Sequence, residues 1–248
     1  MMRDSQECST KGTPVLLQDK TVVIVGGSSG IGYATAELCK AEGATVIIAS
    51  RPGDKLRAAA ERLGVRGIAA DVTSDSAVEN LFRECGTADH VAVTAAQLRS
   101  AHIKELSMED AKATMESKFW GAYRVARNAS IAPGGSLTIV SGFLSVRPRP
   151  GSAIVGAANG ALESLARSLA IDLAPVRVNA VSPGIIDTPI RAAMPEAARK
   201  AMLERTAAAL PVKRVGVGED IARQILAFMT IGFMTGSVVY VDGGGLIV

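Results

Sequence analysis

The sequence predicts a single α/β domain with a doubly wound central parallel sheet of about seven strands. Short β-branched runs alternate with helix-period segments along the whole chain. The 248 residues are 48% hydrophobic but only 4% aromatic, so the core must be mainly Ala, Val, Ile and Leu, as where helices pack on a parallel sheet. No internal repeat or low-complexity segment interrupts this pattern. The domain is expected over 19–248, behind a flexible tail at 1–18. That tail opens with the polar stretch Met1–Thr13, which lacks the apolar run of a signal peptide.

Each element follows from local chemistry. Thr21–Val25 is a β-branched run, read as a buried strand, and Gly30–Ala41 is a helix. Thr45–Ala49 is a strand, Asp54–Leu63 a helix, and Gly67–Ala70 a short strand. Ser74 caps a helix to Cys85, and His90–Thr94 is a strand. Ser107, with Asp110 three residues on, opens a long helix to Ala129. Ser136–Val140 is a strand, Ala153–Leu173 a second long helix, and Val176–Val181 a strand. Glu219–Met229 and Ser237–Val241 close the chain as helix and strand. The wide stretch from Pro183 to Gly218 holds a weakly amphipathic segment, Pro195–Leu210. Past the sixth strand it is placed to fold over a ligand crevice as a lid.

Composition excludes several classes. A net charge of +3, with no Lys/Arg stripe interleaved with aromatics, argues against a nucleic-acid partner. Cys8, Cys39 and Cys85 have no metal or redox spacing, and only His90 and His102 could add imidazole ligands, so no metal site is expected. Scattered, odd-numbered cysteines point to a reducing, cytoplasmic setting. The apolar stretch Ile221–Val239 is broken by Arg223 and glycines, so no membrane span is expected.

The chemistry-bearing motif is Val25-Gly26-Gly27-Ser28-Ser29-Gly30-Ile31-Gly32, at the junction of the first strand and first helix. Gly26 permits the tight turn, and Gly30 and Gly32 let backbone approach a pyrophosphate. Ser28, Ser29 and Ile31 lie at a helix N-terminus whose free N–H groups face the phosphates. The second strand runs into Ser50-Arg51, where a site selective for NAD wants an acid. A hydroxyl and a guanidinium suit a 2′-phosphate instead, so the expected cofactor is NADP(H).

With these residues the chain resembles the classical short-chain dehydrogenases/reductases, a Rossmann-fold family, from Lys20 to Val248. Their glycine motif matches Gly26–Gly32, and their adenine-contacting pair resembles Asp71-Val72. Their Asn-Asn-Ala-Gly corresponds to Val93-Thr94-Ala95-Ala96 in degraded form. Arg177-Val178-Asn179 through Pro183-Gly184 and the ending Thr235-Gly236 to Gly243-Gly244 also match. By that resemblance Thr94, Ala95 and Ala96 border the cofactor, and Pro183, Gly184, Ile185 and Ile186 lie against the nicotinamide carboxamide. The resemblance also implies a homodimer or homotetramer that packs the two long helices against their copies.

The family's catalytic pattern is a serine, Tyr-x-x-x-Lys and a helix asparagine. Aligned on Ala161-Leu162, Val155 stands at the tyrosine position and Asn159 at the lysine position. The serine position falls on Gly142, with Ser141 beside it, and the helix asparagine becomes Lys118. Val155 donates no proton, while Asn159 still hydrogen-bonds a ribose hydroxyl without a charge. Lys118 shares a stripe with Met115, Ala122, Val125 and Ala129, so it is paired, desolvated or aimed into the cleft. Desolvation would lower its pKa and let it protonate a developing alkoxide or amine. The plainer reading is a lysine that snorkels to solvent or replaces the missing charge near the ribose. The catalytic candidates are therefore Lys118, Ser141 and Asn159. Arg147 and Arg149, between stiff prolines, either clamp an anionic or carbonyl-bearing substrate or form an exposed basic loop.

The chain is thus expected to be an NADPH-dependent oxidoreductase of an atypical kind. It would transfer hydride to a small molecule with an activated C=O, C=N or iminium group, because such a group accepts hydride without a tyrosine acid. The alternatives are a non-redox cyclase, isomerase or lyase using the same cleft, and a cofactor-binding pseudoenzyme subunit.

Overall fold

The computed structural model describes residues 15–189 and 194–248. Seven strands form one parallel sheet: β1 Thr21–Val25, β2 Thr45–Ser50, β3 Arg66–Ala69, β4 Ala88–Val93, β5 Ile131–Val140, β6 Arg177–Pro183 and β7 Val238–Val241. Their order is β3-β2-β1-β4-β5-β6-β7. The chain reverses direction of travel across the sheet between β1 and β4, which opens a crevice at the carboxyl ends of those neighbours.

Eight helices cover the sheet among the described residues. They are α1 Gly30–Ala41, α2 Asp54–Leu63, α3 Asp75–Cys85, α4 Met108–Met115, α5 Gly121–Asn128, α6 Ala153–Asp172, α7 Glu196–Ala209 and α8 Gly218–Thr230. One apolar layer packs Val78, Leu81, Val125 and Leu162 on one face of the sheet. The other packs Ala36, Cys39, Ile221, Ile225 and Phe228 on the opposite face. The single-domain, doubly wound α/β architecture is the one the alternating pattern predicts.

Local signals are borne out where a cap carries them. The Ser74 hydroxyl accepts from the Ala77 amide at 3.3 Å, and that of Ser107 from the Asp110 amide at 3.0 Å. The Arg177-Val178-Asn179 motif proves to be a staple. Buried Arg177 donates to the Met229, Ile231 and Met234 carbonyls at 2.8, 3.1 and 3.3 Å, and Asn179 donates to Met234 at 2.9 Å. Together they satisfy the open carbonyl end of α8 and the turn behind it.

Three expectations need correction. The long helix expected from Ser107 to Ala129 is interrupted by a π-helical segment, Glu116–Trp120, between α4 and α5. The extra residue per turn buries Ser117 and Lys118 side by side. β5 begins at Ile131 rather than Ser136, with a register irregularity between Ala88 and His90 that absorbs Pro133-Gly134-Gly135. The expected tail lies outside the described residues up to 14, but Leu17 is buried and its amide bonds the Glu42 carbonyl at 2.9 Å. The segment Pro195–Leu210 contains α7, none of whose residues is buried, while Leu210 just after it is buried.

Candidate active site

A cleft of about 570 Å³ opens at the crevice beside β1. Its floor is built from glycines whose missing side chains are a packing requirement. A Cβ on Gly32 would lie 2.3 Å from the Gly26 carbonyl oxygen, and one on Gly26 would lie 2.5 Å from the Ala95 amide nitrogen. Gly26 also has φ +99°, a backbone region that side chains disfavour. The turn therefore brings α1 hard against β1 and β4. Ser29 caps α1 without using its side chain, and no acid lies in the first turn. The free N–H groups and positive dipole end of α1 thus face the cleft unneutralised.

The far end of the cleft is basic. Ser50, Arg51 and Lys55 line it, and Asp71 is the one acid among its lining residues. The Asp71 carboxylate is held by the Thr73 amide and hydroxyl at 2.9 and 2.8 Å. Thr94 donates to the Val25 carbonyl at 3.2 Å and closes the wall between β1 and β4. Ser117 fixes the next stretch from both sides: its hydroxyl donates to the Gln97 carbonyl at 2.9 Å and accepts from the Gln97 amide at 3.0 Å.

The structure thus gathers Gly26, Ser28, Ser29, Gly30, Ile31, Gly32, Ser50, Arg51, Asp71, Val72, Thr94, Ala95 and Ala96 around one cleft. Pro183, Gly184, Ile185 and Ile186 do not line it. Gly184 is packed so tightly that a Cβ would lie 2.7 Å from the Asp242 Cα, and Ile186 turns into the core and bridges to Gly216. The chain reaches the cleft two residues later, at Thr188 and Pro189.

At the ends of β5 and β6 the character changes. Lys118, Ser141, Val155 and Asn159 are each at most 5% exposed, and none lines the cleft, whose wall includes Ser117, one residue before Lys118. The Lys118 ammonium donates to the Ser141 carbonyl at 3.0 Å and to the Val140 carbonyl at 3.3 Å. Burial pushes it down to about 8. No carboxylate among the described residues pairs with it. Snorkelling to solvent is therefore not what this lysine does.

Asn159 lies over Gly142: a Cβ there would meet Nδ2 at 2.8 Å, so the amide fills the space a serine side chain would take. Its Oδ1 is buried with no hydrogen-bond partner among the described residues, a state that costs about 1–3 kcal/mol unless a ligand satisfies it. The Ser141 hydroxyl turns away from the cleft, donating to Glu163 at 3.2 Å and to the Val181 carbonyl at 3.3 Å. Ser141 therefore braces the site rather than facing a substrate. The two loop arginines are also engaged. Arg147 donates to the Val248 carbonyl, and Arg149 stacks 5.1 Å from the Phe143 ring centre. They form no clamp.

Sequence reasoning missed Lys55 and Glu163. Lys55 was detectable as a second cation four residues after Arg51, in the first turn of α2, and both line one end of the cleft. Glu163 carried no signal, because an acid four residues before Arg167 reads as an exposed helical ion pair.

Comparison with known proteins agrees with this geometry. Residues 25–245 match the family described as Enoyl-(Acyl carrier protein) reductase. A short-chain dehydrogenase/reductase named ucsE, from an Acremonium species, is 32% identical across 93% of this chain and 97% of its own. The 3-oxoacyl-[acyl-carrier-protein] reductase FabG of Thermotoga maritima is also 32% identical, across 92% and 98%. Among solved structures, a small-chain dehydrogenase in complex with NADPH is 34% identical and covers 93% of this chain and 100% of its own, with a TM-score of 0.82. The MalC reductase/Diels-Alderase of Malbranchea aurantiaca is 29% identical over 95% and 99%, with a TM-score of 0.87. Its sheet order, its glycine turn and these full-length relatives make the chain a member of the short-chain dehydrogenase/reductase family.

Proposed function

We propose that this protein is an NADPH-dependent reductase of small molecules whose C=O, C=N or iminium carbon is already electrophilic. The observation that carries this is the cleft. Its glycine floor, uncapped helix end and basic far wall fit a dinucleotide with a 2′-phosphate. Gly26–Gly32 and the α1 amides would hold the pyrophosphate, and Arg51 with Lys55 the 2′-phosphate. The Asn159 Oδ1, buried beside Gly142, is an unsatisfied acceptor among the described residues at the β5 end of the site. When bound, the nicotinamide supplies a hydride.

The chain's own residues then govern the proton. Val155 and Gly142 donate nothing from a side chain. Lys118, whose ammonium burial holds near 8, donates to the Val140 and Ser141 carbonyls at the end of β5. Its role would be to deliver a proton to a developing alkoxide, or to hold positive charge beneath the site. An iminium carbon needs no proton as it accepts hydride, so such substrates suit a site without the family's tyrosine. Calorimetry with NADPH and NADH, followed by NADPH oxidation across ketones, imines and iminium ions, tests the proposal. Tighter NADPH binding with turnover of activated acceptors is expected. Absence of NADPH binding, or equal dissociation constants for the two cofactors, would refute it.

A second reading is favoured by the neighbour described as both a reductase and a Diels-Alderase: a non-redox ring closure in the same cleft. It predicts substrate consumption without NADPH oxidation. We further infer a cytoplasmic protein that assembles through the α4–α5 and α6 faces as a dimer or tetramer. The exposed Trp120 and Tyr123 on the first face support this assembly, and a monomeric mass by light scattering would contradict it.

A further inference from the structure

Glu163 lies one helical turn beyond Asn159 on α6 and is 4% exposed. A buried carboxylate is costly unless its oxygens are fully engaged. Here they are, among the described residues entirely by hydroxyl groups. Oε1 accepts from Ser145 at 2.7 Å, Ser141 at 3.2 Å and Ser182 at 3.3 Å, and Oε2 accepts from Tyr240 at 3.1 Å. The four donors come from the end of β5, the turn Phe143–Ser145, the end of β6, and β7. Ser141 also presents its carbonyl to the Lys118 ammonium at 3.0 Å, and the Ser145 hydroxyl also reaches the Gly142 carbonyl at 3.2 Å. One carboxylate thereby fixes the strand end that bears Gly142, the Lys118 acceptors and the floor under Asn159.

We propose that Glu163 is a positioning residue for the candidate active site, a buried clamp that sets the Ser141–Ser145 turn and through it the placement of Lys118 and Asn159. The proposal rests on the reductase reading above. The clamp is a carboxyl group because both of its oxygens are needed to accept from all four hydroxyls at once. An amide in its place has one oxygen acceptor and two N–H donors, so at least one hydroxyl must turn away. Displacements of about an ångström in a site of this kind cost up to ~10²-fold in rate.

The test uses the full-length protein, Glu163→Gln, and 9,10-phenanthrenequinone as the probe substrate. Tyr240 reports the contact itself. Burial first, and then the charge and hydrogen bond of Glu163, hold its phenol above the usual tyrosine range, with the Ser145 hydroxyl and then Arg167 pulling the other way. A tyrosine difference titration against Tyr240→Phe should therefore move to lower pH in Glu163→Gln. The variant should keep NADPH affinity within about 3-fold and lose at least ~10-fold in kcat. Ser145→Ala removes one arm and serves if Glu163→Gln does not fold, with a smaller loss in kcat expected. Unchanged kcat in the foldable variants, or an unmoved Tyr240 titration in Glu163→Gln, overturns the proposal. A wild-type protein that binds NADPH but reduces no acceptor instead refutes the reductase reading, and the positioning role falls with it.

Discussion

The β1–β4 half of the carboxyl edge and the β5–β6 half are built on opposite principles. The first is an open cleft with a glycine floor and a basic far wall. The second is closed and holds a cation, a carboxylate and an unpartnered amide oxygen below 6% exposure. A phosphate-binding turn needs only N–H groups, absent side chains and a helix end, so steric requirements fix it. The β5–β6 edge has no such steric fixture. Its residues are free to change provided each buried polar group finds a partner, and the Lys118–Ser141–Glu163 chain shows one arrangement that does.

The largest expected effect breaks the first half. Gly32→Ala forces a Cβ against the Gly26 carbonyl, so it should lower NADPH affinity by at least ~100-fold and destabilise the fold by about 1–3 kcal/mol. Calorimetry and a denaturant melt read both. An unaffected affinity would mean that the turn does not hold the phosphates.

Lys118→Met separates function from stability in the second half. Turnover should fall by roughly 10²-fold while NADPH affinity stays nearly constant, as initial rates and calorimetry would show. Stability should move the other way. The ammonium's pKa falls from 10.5 to about 8, which corresponds to on the order of 3 kcal/mol against the buried charge at neutral pH. Because the folded pKa is the lower one, this stability is present above 10.5 and is lost as pH falls from 10.5 through about 8. Urea melts at pH 7 should thus find Lys118→Met more stable than the wild type. A variant that loses stability instead would make Lys118 a structural brace.

Arg51→Ala probes the basic wall with a smaller effect. The preference for NADPH over NADH should be at least about tenfold, or ~1.4 kcal/mol, and the variant should lose most of it. Paired titrations with the two cofactors measure the difference.

How much was legible in the sequence follows the same division. Gly26 to Gly32 are neighbours in the chain, and each glycine answers a local demand, so the phosphate turn reads directly. Ser74 and Ser107 read as caps because a cap bond spans three residues. The β5–β6 edge joins Lys118, Ser141, Tyr240 and the α6 neighbours Asn159 and Glu163, segments that meet through tertiary packing. Lys118 was noticed because a charge interrupted an apolar stripe. Glu163 was hidden because its partners are serines at strand ends. The π-helical segment was missed because Met115, Lys118, Ala122 and Val125 keep three-and-four spacing across it, which reads as one uninterrupted helix.

The central claim is that the protein transfers hydride to carbon already made electrophilic, without the family's tyrosine acid. Its most direct measurement is stopped-flow oxidation of NADPH by the preloaded enzyme. Cyclohexanone would be set against a cyclic N-methyl iminium ion and a conjugated diketone. The account predicts that the activated acceptors react at least ~100-fold faster than the simple ketone. Comparable rates, or faster reduction of cyclohexanone, would contradict it.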